Sequence, residues 1–416
     1  MVRRLRLLLC VFTMLAVFTQ SFPVMAVAAG GDLGVGSSGS RVVELQNLLK
    51  REGFFPATQK STGYFGWITY GAVTALEKKY GLPVDGRVGS REWGILYGIK
   101  NPGKTVLGFY AVDYPGDVRS YDSYSKNSQL VNQVAMFDYT IDAWGNLKGS
   151  PSNDGIWLAK SKGDQSVMVV HNISGYIDLW SANSVITNQS YRKNLRDNIL
   201  KKMWQYGYDG VNIDLEGISA NARKDFNTFL EELSGSLRAN NKLLTVAVPA
   251  KTSDYGSSWN EAYDYATIGR LADLVMVMSY DEHWPGGPAG PVASLPWVTE
   301  VLDYSTSAIP AGKILLGVAC YGYDWPDGQT ASAVRWKDMP GLIATYGAGN
   351  VWWDDISSSP CLTYWKNGVR HQVWFENKYS LAIKLGLVKS YGLGGIGFWR
   401  LGYEDNSFWE TVSKNL

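Results

Sequence analysis

From residue 106 to the end of the chain, short apolar runs alternate with longer amphipathic stretches. The amphipathic stretches, such as Tyr191–Tyr206, Ala222–Ala239 and Tyr379–Tyr391, are typical of helices. Strands that alternate with helices form parallel sheets, and eight such units predict an α/β fold, a closed (β/α)8 TIM barrel. The eight predicted strands are Val106–Val112, Gln133–Thr140, Ser166–His171, Gly210–Leu215, Leu243–Val248, Leu274–Tyr280, Ile314–Tyr321 and Gly395–Trp399.

The fourth predicted strand carries polar residues at every second position. It lies within Asp209–Gly217, which reads DGVNIDLEG. Because strand side chains alternate between two faces, Asn212, Asp214 and Glu216 should point together toward the barrel axis. Neighbouring carboxyl groups do not easily both ionise, so one pKa should rise, and a protonated Glu at a strand's carboxyl end suits a general acid. A buried hydrogen-bond network without chemistry is the alternative, and the spacing does not fit an EF-hand calcium loop.

Residues 1–28 have the pattern of a secretory signal peptide. Arg3, Arg4 and Arg6 precede an apolar run from Leu7 to Phe18, and Ala26-Val27-Ala28 is a small-x-small cleavage signal. The apolar run is shorter than the roughly 20 residues of a membrane span, and no later run is long enough. The sequence therefore predicts a secreted protein without membrane contact after cleavage, with an uncleaved anchor as the alternative.

Charge and residue types narrow the possible partners. Removal of residues 1–28 takes away three arginines and no acids, so the balance changes from 39 − 38 = +1 to 36 − 38 = −2. A nearly neutral chain argues against nucleic acid as a partner. Two cysteines remain, and export permits a disulfide between Cys320 and Cys361 without requiring it. No metal site and no cofactor is predicted, because the three histidines are dispersed: His171, His283 and His371.

Residues 31–98 predict a small all-α module of three short helices separated by turns. Within it, Val43–Gln46, Gly63–Gly66 and Val84–Gly89 resemble motifs of the three-helix peptidoglycan-binding domain. That resemblance implies a module that holds the chain on cell-wall polymer, and a generic helical bundle is the alternative. Residues 99–105 read as a linker to the barrel domain, residues 106–416.

Three segments of the barrel domain resemble glycoside hydrolase family 18. Asp209–Glu216 resembles the signature Asp-Gly-x-Asp-x-Asp-x-Glu, Met278–Asp281 resembles the Met-x-Tyr-Asp strand, and Gly397–Trp399 resembles the last strand. Val373–Glu376 is similar to the branch of bacterial enzymes that degrade spore cortex or cell wall. The motifs lie on three separate strands, so the resemblance covers most of the barrel domain.

This resemblance implies a role for each site residue. Glu216 would protonate the glycosidic oxygen and later activate water, while the substrate's own acetamide is the nucleophile. Asp214 would orient the acetamide, and Tyr280 would hold its carbonyl oxygen. Trp399 would stack beneath the sugar ring and Asp281 would bind sugar hydroxyls, with ordinary barrel packing as the alternative for Tyr280 and Trp399. The predicted substrate-binding residues also include Asn212, together with Tyr110 and His283 on the same rim.

Asn212 departs from the family signature, which has Asp at this position. An amide can hydrogen-bond Asp214, but it cannot ionise. The sequence therefore predicts an active enzyme, because Asp214 and Glu216 are intact, while the coupling between the acids and the pH optimum are in question.

The mechanism limits the bond that can be cut, because the sugar before that bond needs a free 2-acetamido group. We therefore expect a monomeric enzyme, located in the cell wall or spore envelope, that cleaves peptidoglycan after N-acetylglucosamine. The 17 Trp, 25 Tyr and 13 Phe suit stacking on sugar faces. The alternatives are a chitinase and a non-catalytic lectin on the same barrel. The sequence does not decide between endo and exo cleavage.

Overall fold

The computed structural model describes residues 33–80, 82, 84–96, 104–255 and 257–416. The predicted signal peptide, residues 1–28, lies outside these ranges, as do residues 99–103 of the predicted linker. Among the helices of the described ranges, none is both long enough and apolar enough to span a membrane.

The amino-terminal module has the predicted all-α character. Its helices are α1 (Ser40–Arg51), α2 (Trp67–Lys79) and α3 (Ser90–Leu96), and their apolar faces meet in one small core. The buried Gln46 side chain donates to the Thr69 hydroxyl at 2.9 Å. This contact satisfies a buried amide and joins the first two helices.

The large domain begins with β1. Its strands, in chain order, are β1 (Thr105–Tyr110), β2 (Gln133–Ile141), β3 (Leu147–Gly149), β4 (Gln165–His171), β5 (Gly210–Asp214), β6 (Leu243–Pro249), β7 (Leu274–Met278), β8 (Ile314–Ala319), β9 (Tyr321–Pro326), β10 (Ser332–Arg335), β11 (Val351–Asp354), β12 (Ser359–Lys366), β13 (Val369–Trp374) and β14 (Gly395–Trp399). Its helices are α4 (Arg119–Asn127), α5 (Asn153–Lys162), α6 (Leu179–Thr187), α7 (Gln189–Tyr206), α8 (Arg223–Arg238), α9 (Tyr265–Leu271), α10 (Leu295–Ala308), α11 (Met339–Tyr346), α12 (Lys378–Ser390) and α13 (Asn406–Asn415).

The predicted barrel is confirmed. Strands β1, β2, β4, β5, β6, β7, β8 and β14 pair in parallel in this order, and β1 pairs with both β2 and β14, which closes the sheet. Each of the eight predicted strands corresponds to one of these. The side chains alternate as expected: Val211, Ile213 and Leu215 pack in the core between sheet and helices.

A five-stranded antiparallel sheet, which the sequence analysis did not predict, lies in the chain between β8 and β14. Its strand order is β10-β9-β13-β12-β11. The seventh predicted strand, Ile314–Tyr321, was too long, because β8 ends at Ala319 and Tyr321 already begins β9. Gly322 permits a close approach between strands, since a methyl group there would lie 2.2 Å from the Trp374 carbonyl oxygen.

The two cysteines are both buried and free. Cys320 belongs to the core between barrel and helices, whereas Cys361 on β12 packs in a cluster that joins the inserted sheet to the barrel mouth. The two cysteines therefore do not form the disulfide that export would permit, and their side chains pack in different apolar clusters.

Candidate active site

A cavity of about 830 Å³ opens at the carboxyl end of the barrel strands. Aromatic rings form much of its wall, and Asp214, Glu216 and Asp281 are the carboxylates that line it. Tyr280 and Trp399 also line the cavity. The structure therefore brings these five residues together from three different strands, as expected for a site on this fold.

Asp214 sits at the carboxyl end of β5 and is buried. Burial raises its pKa well above the ordinary range, and the neighbouring Glu216 charge raises it further. Within the described residues, its Oδ1 atom is buried without a hydrogen-bond partner. An ionised Asp214 is thus poorly stabilised at rest, and the protonated form is favoured.

Asn212 lies two residues earlier on β5, fully buried inside the barrel. Its amide nitrogen donates to the Thr245 hydroxyl at 2.9 Å rather than to Asp214. Its Oδ1 atom is also a buried acceptor without a partner among the described residues. Asn212 and Asp214 therefore leave two unmatched acceptors on the same face of β5, and a proton on Asp214 would supply one donor.

The backbone around Glu216 is clamped by two residues that the sequence analysis missed. Asn172 accepts from the Glu216 N–H at 2.8 Å and donates to its carbonyl oxygen at 2.9 Å. The Tyr263 hydroxyl donates to the Leu215 carbonyl oxygen at 2.6 Å. A usable signal for Asn172 was its place directly after β4, which neighbours β5 in the barrel.

The Glu216 carboxyl group has a pKa raised to about 7, first by burial and then by the charge of Asp281. A carboxyl with this pKa is populated in both protonation states near neutral pH. Glu216 can therefore both donate and accept a proton under the same conditions, which an ordinary exposed Glu cannot.

Asp281 follows β7, with a left-handed backbone (φ of 61°) that Asp tolerates better than most residues. The residue is exposed along the cavity wall, but its carboxylate accepts from the hydroxyls of Tyr321 at 2.7 Å and Tyr323 at 2.9 Å. Burial of the carboxyl group raises its pKa, and the two hydrogen bonds counteract this. Both tyrosines come from β9, where the alternating pattern Tyr-Gly-Tyr-Asp-Trp was an unused strand signal.

Trp399 ends β14 and packs within the mouth of the barrel. Its ring centroid lies 5.5 Å from that of Phe109 and 4.9 Å from that of Phe137. Phe137 in turn stacks on His171, with ring centroids 3.7 Å apart. Burial lowers the pKa of His171 to about 4, so this imidazole is neutral and structural near pH 7.

Neither Tyr110 nor His283, both predicted as substrate-binding residues, is part of the cavity wall. Tyr110 is buried on the outer face of β1, where its hydroxyl donates to Asp154 at 3.1 Å, while Phe109 takes the inward position. Strand alternation, not distance along the chain, decides this. His283 turns its Nδ1 toward the Pro291 carbonyl oxygen, 2.9 Å away. Across the described ranges, no group of three or more His, Cys, Asp or Glu could hold a metal ion.

Comparison with known proteins identifies the two domains. Residues 106–404 match the model of glycosyl hydrolases family 18. The chain belongs to this family. Residues 38–96 match a peptidoglycan binding domain family, so this glycoside hydrolase carries a peptidoglycan-binding module before its barrel. A polysaccharide substrate follows from both matches.

Proteins similar to this chain include a glycosylase, a chitinase and a spore cortex-lytic enzyme. YvbX of Bacillus subtilis, an uncharacterized glycosylase, is 32% identical over 306 residues, which are 72% of this chain and 89% of that protein. A chitinase from Chromobacterium violaceum superposes with a TM-score of 0.70 at 34% identity, over 75% of this chain and 98% of its own. The spore cortex-lytic enzyme SleL of Bacillus megaterium superposes with a TM-score of 0.69 at 27% identity, over 75% and 74% of the two chains.

Proposed function

We propose that this enzyme cleaves peptidoglycan of the cell wall or spore cortex at the β-1,4 bond that follows N-acetylglucosamine. The observation that carries the proposal is the carboxyl end of β5, where Asp214 and, two residues later, Glu216 present two desolvated carboxyl groups to an aromatic cavity. The same chain also has a peptidoglycan-binding module. The similarity to a cortex-lytic enzyme supports the same substrate class.

Glu216 is the proposed general acid and base. Its pKa of about 7 keeps a large protonated fraction at neutral pH, ready for transfer to the glycosidic oxygen. After the leaving group departs, the resulting carboxylate removes a proton from water. The clamp by Asn172 on both backbone groups of Glu216 supports the fixed position that such transfers require.

The substrate's acetamide is the proposed nucleophile, as in the substrate-assisted exceptions to the two-carboxylate scheme. In its ionised form, Asp214 accepts from the acetamide N–H and stabilises the positive charge that develops on the closing ring. Tyr280 donates its hydroxyl to the acetamide oxygen; burial raises its pKa well above the ordinary range, so the donor proton is retained. The configuration of the anomeric carbon is retained, because the acetamide and then water attack this carbon from opposite faces.

The remaining site residues bind the sugar. Trp399 offers its ring as the floor beneath the pyranose, supported from the side by Phe109 and Phe137. Asp281, held by two tyrosine hydroxyls, accepts from sugar hydroxyls. Asn212 acts indirectly, since its contacts are inside the barrel and only set the surroundings of Asp214.

The acetamide requirement favours N-acetylglucosamine before the cleaved bond. N-acetylmuramic acid also carries the acetamide, but its lactyl ether crowds the ring. Muramic lactam of spore cortex lacks the acetyl group and cannot assist. The proposed enzyme is therefore a glucosaminidase. A chitinase activity is the second candidate, favoured by the 34% identity with the Chromobacterium violaceum chitinase over nearly all of that chain.

The proposed site of action is outside the cytoplasm, in the wall or the spore envelope. The leader pattern in residues 1–28 supports export. The amino-terminal module would raise the local concentration of the barrel on its insoluble substrate. Monomeric action is part of the proposal, because the carboxylates, the tyrosines and the aromatic floor all come from one chain.

Product analysis tests this proposal. The purified protein and a Glu216→Gln variant are incubated with peptidoglycan, spore-cortex fragments and N-acetylglucosamine oligomers, and the reduced products are identified by mass spectrometry. New N-acetylglucosamine reducing ends from wall material, absent with the variant, are expected. New muramic acid ends alone would refute the glucosaminidase assignment, and cleavage of the oligomers alone would favour the chitinase.

A further inference from the structure

Two tryptophan side chains stand exposed on the rim beyond the cavity. Trp144 lies in the turn after β2, and Trp180 lies in the first turn of α6. Their exposed fractions are 53% and 66%. Their rings meet edge to face, with centroids 6.3 Å apart and planes at 89°. Clustered exposed aromatic surface marks a place where a protein binds something.

The turn that carries Trp144 is held in place by polar contacts. The Asp142 carboxylate accepts from the backbone N–H groups of Trp144 and Asn146, both at 3.0 Å. From α7, the Asn194 side chain donates to the Trp144 carbonyl oxygen at 2.8 Å. The indole is therefore presented to solvent by a turn whose backbone groups are bonded to the protein.

Trp180 is held in a similar way. Asp178 caps α6 by accepting from the Ser181 N–H at 3.0 Å. One turn later, the Ser184 hydroxyl donates to the Ala143 carbonyl oxygen at 2.9 Å. This bond ties the helix to the turn that carries the other tryptophan, so the two rings keep a fixed relation.

Leu179, which directly precedes Trp180, lies next to residues at the cavity wall. Gly217 directly follows Glu216, and a methyl group at Gly217 would lie 2.1 Å from Leu179 and 3.1 Å from the Trp259 ring. The Asn183 side chain donates to the carbonyl oxygens of Leu179 at 2.7 Å and Gly217 at 3.2 Å. Trp259 itself lines the cavity. Gly217 and Trp259 thus connect the cavity wall to Leu179, the neighbour of Trp180 in the chain.

We propose that the Trp144–Trp180 pair is a distal sugar-binding subsite, which takes a sugar ring of the same glycan chain whose other residues occupy the cavity. The proposal rests on the proposed glycan-cleaving function and names a further part of its binding site. A pyranose has flat C–H faces that stack on indole rings, and the fixed turns keep the ordering cost of binding low. Long chains reach this subsite and short ones do not.

Chain-length-dependent kinetics test the subsite. Trp144→Ala and Trp180→Ala are compared with the unmodified protein on the N-acetylglucosamine trimer, the hexamer, and long glycan strands freed of peptide. Each variant should lose about tenfold in kcat/KM on the longest substrates, the effect of one aromatic stacking contact, and should keep the activity on the trimer. Trp180→Phe should retain most of the activity.

Trp204→Ala is the matched control. Trp204 is also exposed, at 61%, but it lies at the end of α7 that leads into β5, at the opposite end of the barrel. Its ring contacts Lys242, which precedes β6 at that same end. This variant should behave like the unmodified protein on every substrate, and equal melting temperatures would exclude a folding defect.

A binding measurement separates this proposal from the proposed function. Glycan strands and hexamer are titrated calorimetrically into Glu216→Gln, with and without Trp180→Ala. Weaker binding of the long chains in the double variant supports the subsite even if the unmodified protein cuts none of these substrates. Equal binding, together with equal kcat/KM on long and short chains, would overturn it.

Discussion

Two buried acidic clusters of the barrel domain differ in how their charges are matched. The β5 acid cluster consists of Asn212, Asp214 and Glu216, and its carboxyl groups have raised pKa values and, at Asp214, an unmatched acceptor. The Glu376 ion pair is as deeply buried, but Glu376 bonds the Lys384 ammonium group and accepts from the Ser380 hydroxyl at 2.7 Å.

The difference separates reactive from structural acids. The charge of a paired carboxylate is already balanced by its partner. Removing the carboxylate leaves the partner's charge buried without a counterion, which destabilises the fold. An unpaired one has a raised pKa, so it can hold a proton near neutral pH and is a candidate for acid–base chemistry. Asp324 repeats the structural case within the inserted sheet, where it accepts from the Tyr364 hydroxyl at 2.6 Å and lies 2.9 Å from His371.

The largest expected effect is on activity when Glu216 becomes Gln. Hydrolysis should fall by about 10²–10⁴-fold, because the amide cannot donate the proton. The folded-state pKa of Glu216 is raised, so its ionisation lowers stability as the pH rises toward 7. The variant should therefore match the unmodified protein in thermal stability at pH 4 and exceed it at pH 8. A loss of stability at pH 8 would place Glu216 with the structural acids.

The same chemical change at Glu376 should act on stability instead. Glu376→Gln leaves the Lys384 charge buried without its counterion, and the free energy of unfolding should fall by about 3–5 kcal/mol. The activity of the folded protein should be kept. Denaturant unfolding measures the loss, and a second variant, Glu376→Leu with Lys384→Met, should recover most of it. If the double variant does not recover this stability, Glu376 and Lys384 stabilise the fold by more than the balance of their charges.

Asn212→Asp tests whether the β5 acid cluster tolerates one more charge. Burial should raise the pKa of the new carboxyl, so the variant should lose about 1–3 kcal/mol of stability at pH 7. The loss should shrink as the pH falls and vanish below the ordinary Asp pKa of about 4, where the group becomes neutral in both states. Asn188→Asp, at the exposed cap of α7, is the control and should cost nothing. A loss of stability that does not depend on pH would mean that the Asp side chain destabilises the barrel by its shape and not by its charge.

The smallest effect concerns the influence of Asp281 on Glu216. The charge of Asp281 raises the pKa of Glu216, so Asp281→Asn should lower it. The alkaline limb of the kcat/KM profile should move down by roughly half a pH unit. Asp197→Asn, a surface carboxylate paired with Lys193 on α7, should leave the profile unchanged. An unmoved limb with Asp281→Asn would assign that limb to another group.

Much of the site was predictable because it lies on regular strands. The period of two places Asn212 and Asp214 inside the barrel and Val211 and Ile213 outside, and the structure has them there. The same rule, applied to β1, would have rejected Tyr110 in favour of Phe109.

The inserted sheet was harder to predict. Its strands are short, and their partners are distant in the chain: β9 pairs with β13 across about 50 residues. Antiparallel pairing of this kind leaves no helix-strand alternation to detect. Tyr321 and Tyr323, whose hydroxyls donate to Asp281, were therefore either assigned to a barrel strand or overlooked.

The sequence alone determined the fold class, the strand that carries the acids, and the face of that strand, because these follow from local periodicity. The tertiary structure decided which buried acids lack a partner among the described residues, that Asn172 hydrogen-bonds the Glu216 backbone, and that the tyrosines of β9 hydrogen-bond Asp281. These properties depend on desolvation and on contacts between residues far apart in the chain. Both arise only when the barrel closes and the inserted sheet packs over its mouth.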